Sequence, residues 1–440
     1  IKIPNLTPEF DSEFYTNGLI QDAIRHVKDY ADSLGIDGLE FHCYTEEGKP
    51  PMAVFTYEGS GGPNVMFYGH LDKQPHMEGW MEGTGPTSPV VIDGKLYGRG
   101  SNDDGYVSFA LFFAMKNALE QGATLPRIVL VLETEEESGS NYLEYLLDKC
   151  SEWIGTPDVC ICLDSGVLDY STLWLTSSLR GFVGFNMKVS IAENGIHSGT
   201  AGGIVPETFR IANSLIDRLE DPVTRRVPLL EVEIPERYLE EAKENALIIG
   251  DTMHTEMNML PGSEPFYKDN LTEMYLNVNW RPSIAVTGAA GLPCLEKAGN
   301  VLRSSTTLRL AVRLPPTKDS KQAAEEVVKT LTDNVPHGAK VEITGLGNGG
   351  GFCMKDLSEK TNKALNDSST LFFGKPSGSY GDGGSIPFLK SLGDKFQSAE
   401  VLALGVAGND CNMHAPNEFL HLNFAKNLIC VLSHALTDLV

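Results

Sequence analysis

The chain has 440 residues, 41% of them apolar and 21% charged, with a net charge of −24. That composition belongs to a folded globular protein and excludes wholesale disorder; the spread of acidic charge disfavours nucleic acid and anionic membranes as partners. At a prior of about 150 residues per domain, the length implies two or three domains, or one domain carrying a large insertion.

In chain order, the first segment with a clear period is 19–35, LIQDAIRHVKDYADSLG, whose apolar spacing predicts a helix stopped by Gly35. NVMFYGHLD (64–72) predicts a buried strand, 105–122 a helix, RIVLVLE (127–133) a strand, 142–150 a helix and DVCICLD (158–164) a strand. Strands apolar on both faces and separated by helices predict an α/β fold with a mostly parallel sheet flanked by helices. After Arg180 the pattern changes. GFVGFNMKVSI (181–191) alternates like a half-exposed strand, 205–221 predicts a helix, 306–315 a strand, 320–334 a helix and 339–344 a strand. Residues 222–299 read as helices and long loops. The expected layout is a domain of residues 1–180 plus 346–440, interrupted by an inserted α+β domain of residues 181–345.

No run approaches the ~18 consecutive apolar residues of a membrane span. The eight cysteines are scattered, which is no disulfide framework and favours a reducing, cytoplasmic home. Cys160-x-Cys162 lacks the second knuckle of a zinc site. The chain begins at Ile1 rather than Met, which leaves a removed leader open.

Five places could carry chemistry. His70-x-Asp72 ends a strand, where positions i and i+2 share a face, so the carboxylate could orient an imidazole bound to a metal. Asp103 and Asp104 lie in GKLYGRGSNDDG just before a helix, where an N-cap is the plainer reading. Glu133, Glu135, Glu136 and Glu137 crowd the end of the strand 127–133; an acidic surface loop is the plain reading, but the carboxyl ends of parallel strands are where open α/β sheets bind ligands. Asp164 again ends a strand, and His414 lies in NDCNMHAPNEF, alternatively a surface loop. Together, two histidines and several carboxylates at strand-to-loop junctions would repel unless cations lay among them, a donor set suited to zinc and less selectively to manganese or cobalt.

The succession H-x-D, G-R-G-x-x-D, E-E-x-G-S, a strand-end Asp and a late His resembles the dinuclear zinc metallohydrolases that include carnosinase, cytosolic nonspecific dipeptidase, carboxypeptidase G2-like enzymes, aminoacylase and succinyl-diaminopimelate desuccinylase. The resemblance spans nearly the whole chain and is nearest to the dipeptidase branch. It implies two zinc ions bridged by Asp103 and a water or hydroxide. His70 and Asp164 would complete one metal, and Glu137 and His414 the other. Asp72 would orient His70, Glu136 would be the general base, and the Asp103–Asp104 peptide bond would be cis. Two dications balanced by three carboxylates and a hydroxide leave the ligand set neutral, so Glu136 is free to move a proton. Glu133 and Glu135 receive no role beyond a solvated or structural one.

The resemblance also makes the inserted domain a lid and dimerisation domain. His197, in NGIHSGTAGG, would bind the reaction intermediate, acting across a homodimer into the partner's site. Arg313 in AVRLPP would hold the substrate carboxylate, with Asn300, Gly384 and Ser385 at substrate-contacting positions. The chain departs from the branch at three points: Asn348 in GNGG replaces a substrate-binding histidine, DGGS replaces E-G-G-S, and DDGY replaces D-D-K-G. The first lies where substrate is selected.

The expected activity is hydrolysis of the amide bond of dipeptides or short peptides with a free C-terminal carboxylate. The alternatives are an N-acyl amino acid deacylase of the desuccinylase kind, which would need a further cationic pocket, and a non-catalytic binding relative, which would lack a ligand or the base.

Overall fold

The computed structural model describes every residue except Glu256, Asn258 and Asn409, and the side chain of Pro387. The chain divides into two compact units, one of residues 1–177, 354–380 and 388–440, the other of residues 178–353 and 381–387. Gly384 and Ser385 therefore fall in the second unit.

The first unit is built on a six-stranded sheet in the order Leu39–Tyr44, Met52–Tyr57, Arg127–Glu133, Asn64–His70, Val159–Cys162, Glu400–Ala403. The last four run parallel, and the first two are added antiparallel at one edge. Every residue of Asn64–His70 is buried, as its unbroken apolar run demands of a central strand covered on both faces. Helices Leu19–Leu34, Val107–Glu120, Glu359–Phe373 and Leu422–Asp438 contribute to the core beside this sheet, through Val27, Leu111, Met115, Leu365, Leu428 and Leu432 among others. Helix Leu19–Leu34 ends where Gly35 turns left-handed at φ +59°, a conformation glycine adopts without a side-chain clash. The mainly parallel α/β reading holds. The two antiparallel strands, Leu39–Tyr44 and Met52–Tyr57, lay outside any sequence expectation.

The second unit carries a four-stranded antiparallel sheet ordered Ser283–Ala290, Ser305–Leu314, Gly181–Ser190, Lys340–Gly349. Alternation along Gly181–Ser190 turns Val183, Phe185, Met187 and Val189 inward, into one core with helices Thr208–Ile216 and Ser320–Thr332. Helices Glu236–Ile249 and Leu271–Asn279 share a smaller cluster centred on Tyr238, Ala242, Tyr275 and Trp280. Strand Ser283–Ala290 corrects the reading of 222–299 as helices and loops only. Its sequence, SIAVTGAA, is short of large apolar residues because it is an edge strand that is mostly exposed, so no alternation marks it.

A candidate dinuclear metal centre at the carboxyl ends of the parallel strands

Three neighbouring parallel strands of the first unit deliver the predicted ligands. His70 is the last residue of its strand, Asp164 follows Val159–Cys162 by two positions, and Glu136 and Glu137 open the short 3-10 turn after Arg127–Glu133. Asp103 arrives on the loop before helix Val107–Glu120, and its peptide bond to Asp104 is cis, as the resemblance implies. His414 comes from the loop that precedes Phe419–His421, with a left-handed backbone at φ +62° that a side chain disfavours.

The five predicted ligands form two groups that share one carboxylate. His70, Asp103 and Asp164 make one and Asp103, Glu137 and His414 the other; in each, the candidate donor atoms lie within 4.8 Å of one another. Asp103 turns Oδ1 to His70 Nε2 at 3.0 Å and Oδ2 to His414 Nε2 at 2.8 Å. Asp164 Oδ2 stands 3.8 Å from His70 Nε2, and Glu137 Oε2 stands 3.3 Å from His414 Nε2. His70 is fully buried, whereas His414 is 49% exposed.

The electrostatics are those of crowded acids. Burial pushes the Asp164 carboxyl up to about 7, with His70 opposing and Asp103 adding to the rise. Burial likewise holds Glu136 well above the ordinary carboxyl range, with His70 opposing and Asp164 and Glu137 adding. Burial alone would lower His414, but its hydrogen bonds to Asp103 and Glu137 bring it up to about 10. Those same imidazole contacts, from His414 and His70, overcome burial at Asp103 and keep it below the ordinary value.

Whether cations fit can be read from Glu137. Its Oε2 accepts from Gln74 Nε2 at 2.8 Å, while its Oε1 is buried without a hydrogen-bond partner. A buried carboxylate oxygen left unpaired costs free energy unless something positive meets it. An imidazole and two carboxylates in each group, with one carboxylate common to both, are a donor set for two divalent ions.

Asp72 is fully buried and does more than face His70. The imidazole Nδ1 lies 3.0 Å from the Asp72 backbone carbonyl and 3.4 Å from its Oδ1, while the carboxylate accepts the backbone N–H groups of Glu136 at 3.1 Å and Glu137 at 3.0 Å. One side chain thereby sets both the histidine and the glutamate turn. Glu133 and Glu135 are buried and structural rather than solvated: Glu133 accepts from Tyr68 Oη at 2.7 Å and Ser140 Oγ at 3.1 Å, and Glu135 from Asn141.

The remaining predicted residues lie in the second unit. His197 is exposed, its Nδ1 accepting from Gly199 N–H at 3.2 Å, and the short ladder of Ile196–His197 with Val301–Leu302 brings Asn300 beside it, the Asn300 carbonyl accepting from Ser198 N–H at 2.9 Å. Arg313 donates to Ser385 Oγ at 2.9 Å, which in turn donates to the Arg180 carbonyl at 2.5 Å. Gly384 joins the same cluster through its carbonyl, which accepts from Arg180 N–H at 3.0 Å. Asn348 lies on strand Lys340–Gly349, its Oδ1 accepting from Ser320 Oγ at 2.9 Å.

Sequence reasoning missed two residues, Arg99 and Glu418, and one contact of Asp104. Arg99 and Glu418 form a buried ion pair beside the centre, and Asp104 Oδ2 accepts the His70 backbone N–H at 3.2 Å. Their signal was position alone, since Arg99 is the arginine of G-R-G and Glu418 follows His414 by four residues.

Residues 66–438 match the model of peptidase family M20/M25/M40. The chain belongs to that family. It is a metal-dependent peptidase. A cysteinylglycine-S-conjugate dipeptidase of Corynebacterium striatum is 26% identical over 429 residues, spanning 92% of this chain and 88% of its own. A Beta-Ala-His dipeptidase of Homo sapiens is 26% identical over 366 residues, 80% of this chain and 70% of that one. Among solved structures, an M20 family metallo-carboxypeptidase from Sulfolobus solfataricus shares the fold with a TM-score of 0.81 at 18% identity, covering 100% of this chain and 97% of the other. No described helix is long and apolar enough to cross a membrane.

Proposed function

We propose that the protein is a di-zinc dipeptidase, hydrolysing dipeptides or short peptides that carry a free C-terminal carboxylate. The observation that carries this reading is the sharing of Asp103 by two groups of metal-ligating side chains. His70 and Asp164 would hold one ion, Glu137 and His414 the other, and Asp103 both, with manganese or cobalt as substitutes. Such a pair, when bound, polarises the scissile carbonyl and acidifies a water molecule.

Glu136 acts as the general base. It stands one residue before Glu137, on a turn that Asp72 fixes through two backbone N–H groups. Its carboxylate accepts no hydrogen bond among the described residues, and burial raises its proton affinity. A group so placed takes a proton from the attacking water and returns it to the leaving nitrogen. His197 donates to the oxyanion that forms at the scissile carbonyl, acting across a homodimer. Arg313, oriented by Ser385, binds the substrate carboxylate, and Asn300, Asn348 and Gly384 complete the substrate contacts. The reading includes a cytoplasmic location.

Arg180 adds a second guanidinium near Arg313, and burial, with Arg313 adding, brings it down to about 10. Its Nε donates to the carbonyl of Gly383 and its Nη1 to the carbonyl of Arg281 and to Ser283 Oγ, and the deacylase stays the second reading.

The test is a panel of unmodified dipeptides against N-acetyl and N-succinyl amino acids, run with measured metal stoichiometry. Turnover of the dipeptides with two ions per chain is expected, falling by about 100-fold or more in Glu136→Gln. Activity confined to the acylated set would replace the dipeptidase reading with the deacylase one. Glu136→Gln within a few fold of the parent would remove Glu136 as base.

A further inference from the structure

Arg99 and Glu418 are 1% and 0% exposed, and meet at 2.6 Å. An isolated buried ion pair adds little net stability, because desolvation offsets the attraction. The other contacts of the two side chains suggest a different role. Glu418 Oε2 also accepts the N–H of Gly100 at 3.1 Å, and its Oε1 accepts those of Asn102 at 2.9 Å and Asp103 at 3.2 Å. Arg99 donates from Nη2 to the carbonyl of Ala415 and from Nε to that of Pro75, each at 3.2 Å.

Most of these partners lie at, beside or one contact away from a ligand. Asp103 is the shared carboxylate itself, Ala415 adjoins His414, and Pro75 adjoins Gln74, which donates to Glu137. Asn102 adds a second tie, its amide donating to the carbonyls of Val406 and Phe419, both at 3.2 Å. Asp103 and Glu418 are 315 residues apart in sequence, so nothing local holds them together.

We propose that the Arg99–Glu418 pair is a positioning device that sets the Asp103 loop against the His414 loop before any metal arrives, presenting one carboxylate to both ligand groups. The carboxylate gathers three successive-loop N–H groups into a fixed turn, and the guanidinium fork pins the neighbouring loops to the same point. Ligands must be held to about 0.5 Å for a preorganised site, and five backbone anchors on one buried pair supply that restraint. The inference rests on the dinuclear reading above and concerns only how the ligands are held.

The experiment compares Glu418→Gln, Arg99→Met and the double variant with the parent. Each single change leaves its partner's charge buried and unpaired, so both lower Tm. The double variant removes the imbalance and recovers part of Tm, yet its zinc affinity, read by competition with a chromophoric chelator, stays about 10–100-fold below the parent, and its cobalt(II) visible spectrum changes. A folded double variant with parental zinc affinity and parental cobalt spectrum overturns the proposal. The parent, stripped by a chelator, gives an independent reading by amide hydrogen exchange. Protection of the Gly100, Asn102 and Asp103 amides without metal supports the proposal, and free exchange there overturns it even if no variant folds. A parent that binds fewer than two ions would instead undo the dinuclear reading, so the two failures are distinct.

Discussion

Replacing Gly69 by alanine probes how tightly the strand end holds His70. A Cβ at position 69 would stand 2.7 Å from Asp104 Oδ2, 2.9 Å from Val107 Cγ1 and 3.1 Å from Val107 Cβ. Carbon pairs are comfortable at about 3.5–4.0 Å, so the valine alone must yield by roughly 0.6 Å or more. Overpacking of that size costs about 1–3 kcal/mol, and alanine recovers about 0.4–1 kcal/mol by narrowing the unfolded ensemble. The net loss, centred near about 1.3 kcal/mol within a range of about 0–2.6 kcal/mol, corresponds to a Tm lower by roughly 2–3 °C for a unit of about 250 residues. A second effect is local. Asp104 Oδ2 accepts the His70 N–H at 3.2 Å, so a displaced Asp104 lets the histidine drift, and zinc affinity should fall by about tenfold or more. Calorimetry of stripped and zinc-loaded protein measures the first effect and chelator competition the second. Val107→Ala in the same chain removes the closest carbon, so the double variant should lose less than the sum of the singles by about 1 kcal/mol. Gly69→Ala with parental Tm and parental zinc affinity would refute the crowding argument.

Metal uptake should depend on pH with a defined sign. In the stripped protein burial holds Asp164 up to about 7, and the contacts of His414 with Asp103 and Glu137 hold it up to about 10; both protons must leave for a cation to bind. Zinc affinity therefore rises from pH 6 to 8, by up to about tenfold per pH unit for each proton released, and calorimetry in buffers of different ionisation heat counts those protons; a flat profile without release would contradict it. The same shifts make the stripped fold lose stability as pH rises, from the ordinary carboxyl value through about 7 for Asp164, because the folded form holds the extra proton. Asp72→Asn keeps the shape but turns an amide toward the Glu136 or Glu137 N–H, and should cost about 10–100-fold in activity; steady-state kinetics at saturating metal check it, and parental rates would remove Asp72 from the machinery. Arg313→Ala should lower kcat/KM about 10–100-fold for a dipeptide with a free carboxylate, and much less for its C-terminal amide. Equal losses on the two substrates would show that the arginine does not read the carboxylate.

Four of the five candidate ligands were legible in the sequence because each stands at the end of an apolar run or beside a glycine turn, whereas His414 lies in a loop with neither mark. The three parallel strands that bring His70, Glu137 and Asp164 together are near-continuous apolar runs, a pattern that burial on both faces imposes. Strand Ser283–Ala290 left no such mark, since its side chains are small and largely outside the core. Arg99 and Glu418 were illegible for a different reason. A buried charge looks like any surface charge until the partner 319 residues away is seen against it.

The order in which the chain leaves the ribosome has a bearing on this arrangement. His70, Asp103, Glu137 and Asp164 emerge in the first stretch of synthesis, but His414 and Glu418 follow only after the whole second unit has been made. Closing so wide a loop is slow, and long-range pairing is the late step of folding. The nascent protein thus passes through a stage in which only one of the two candidate ligand groups exists, with Asp103 lacking both the Glu418 carboxylate that accepts its N–H and the His414 imidazole. A chain terminated before the segment that carries His414 and Glu418 would therefore lack the second candidate ligand group and the carboxylate that steadies the Asp103 loop.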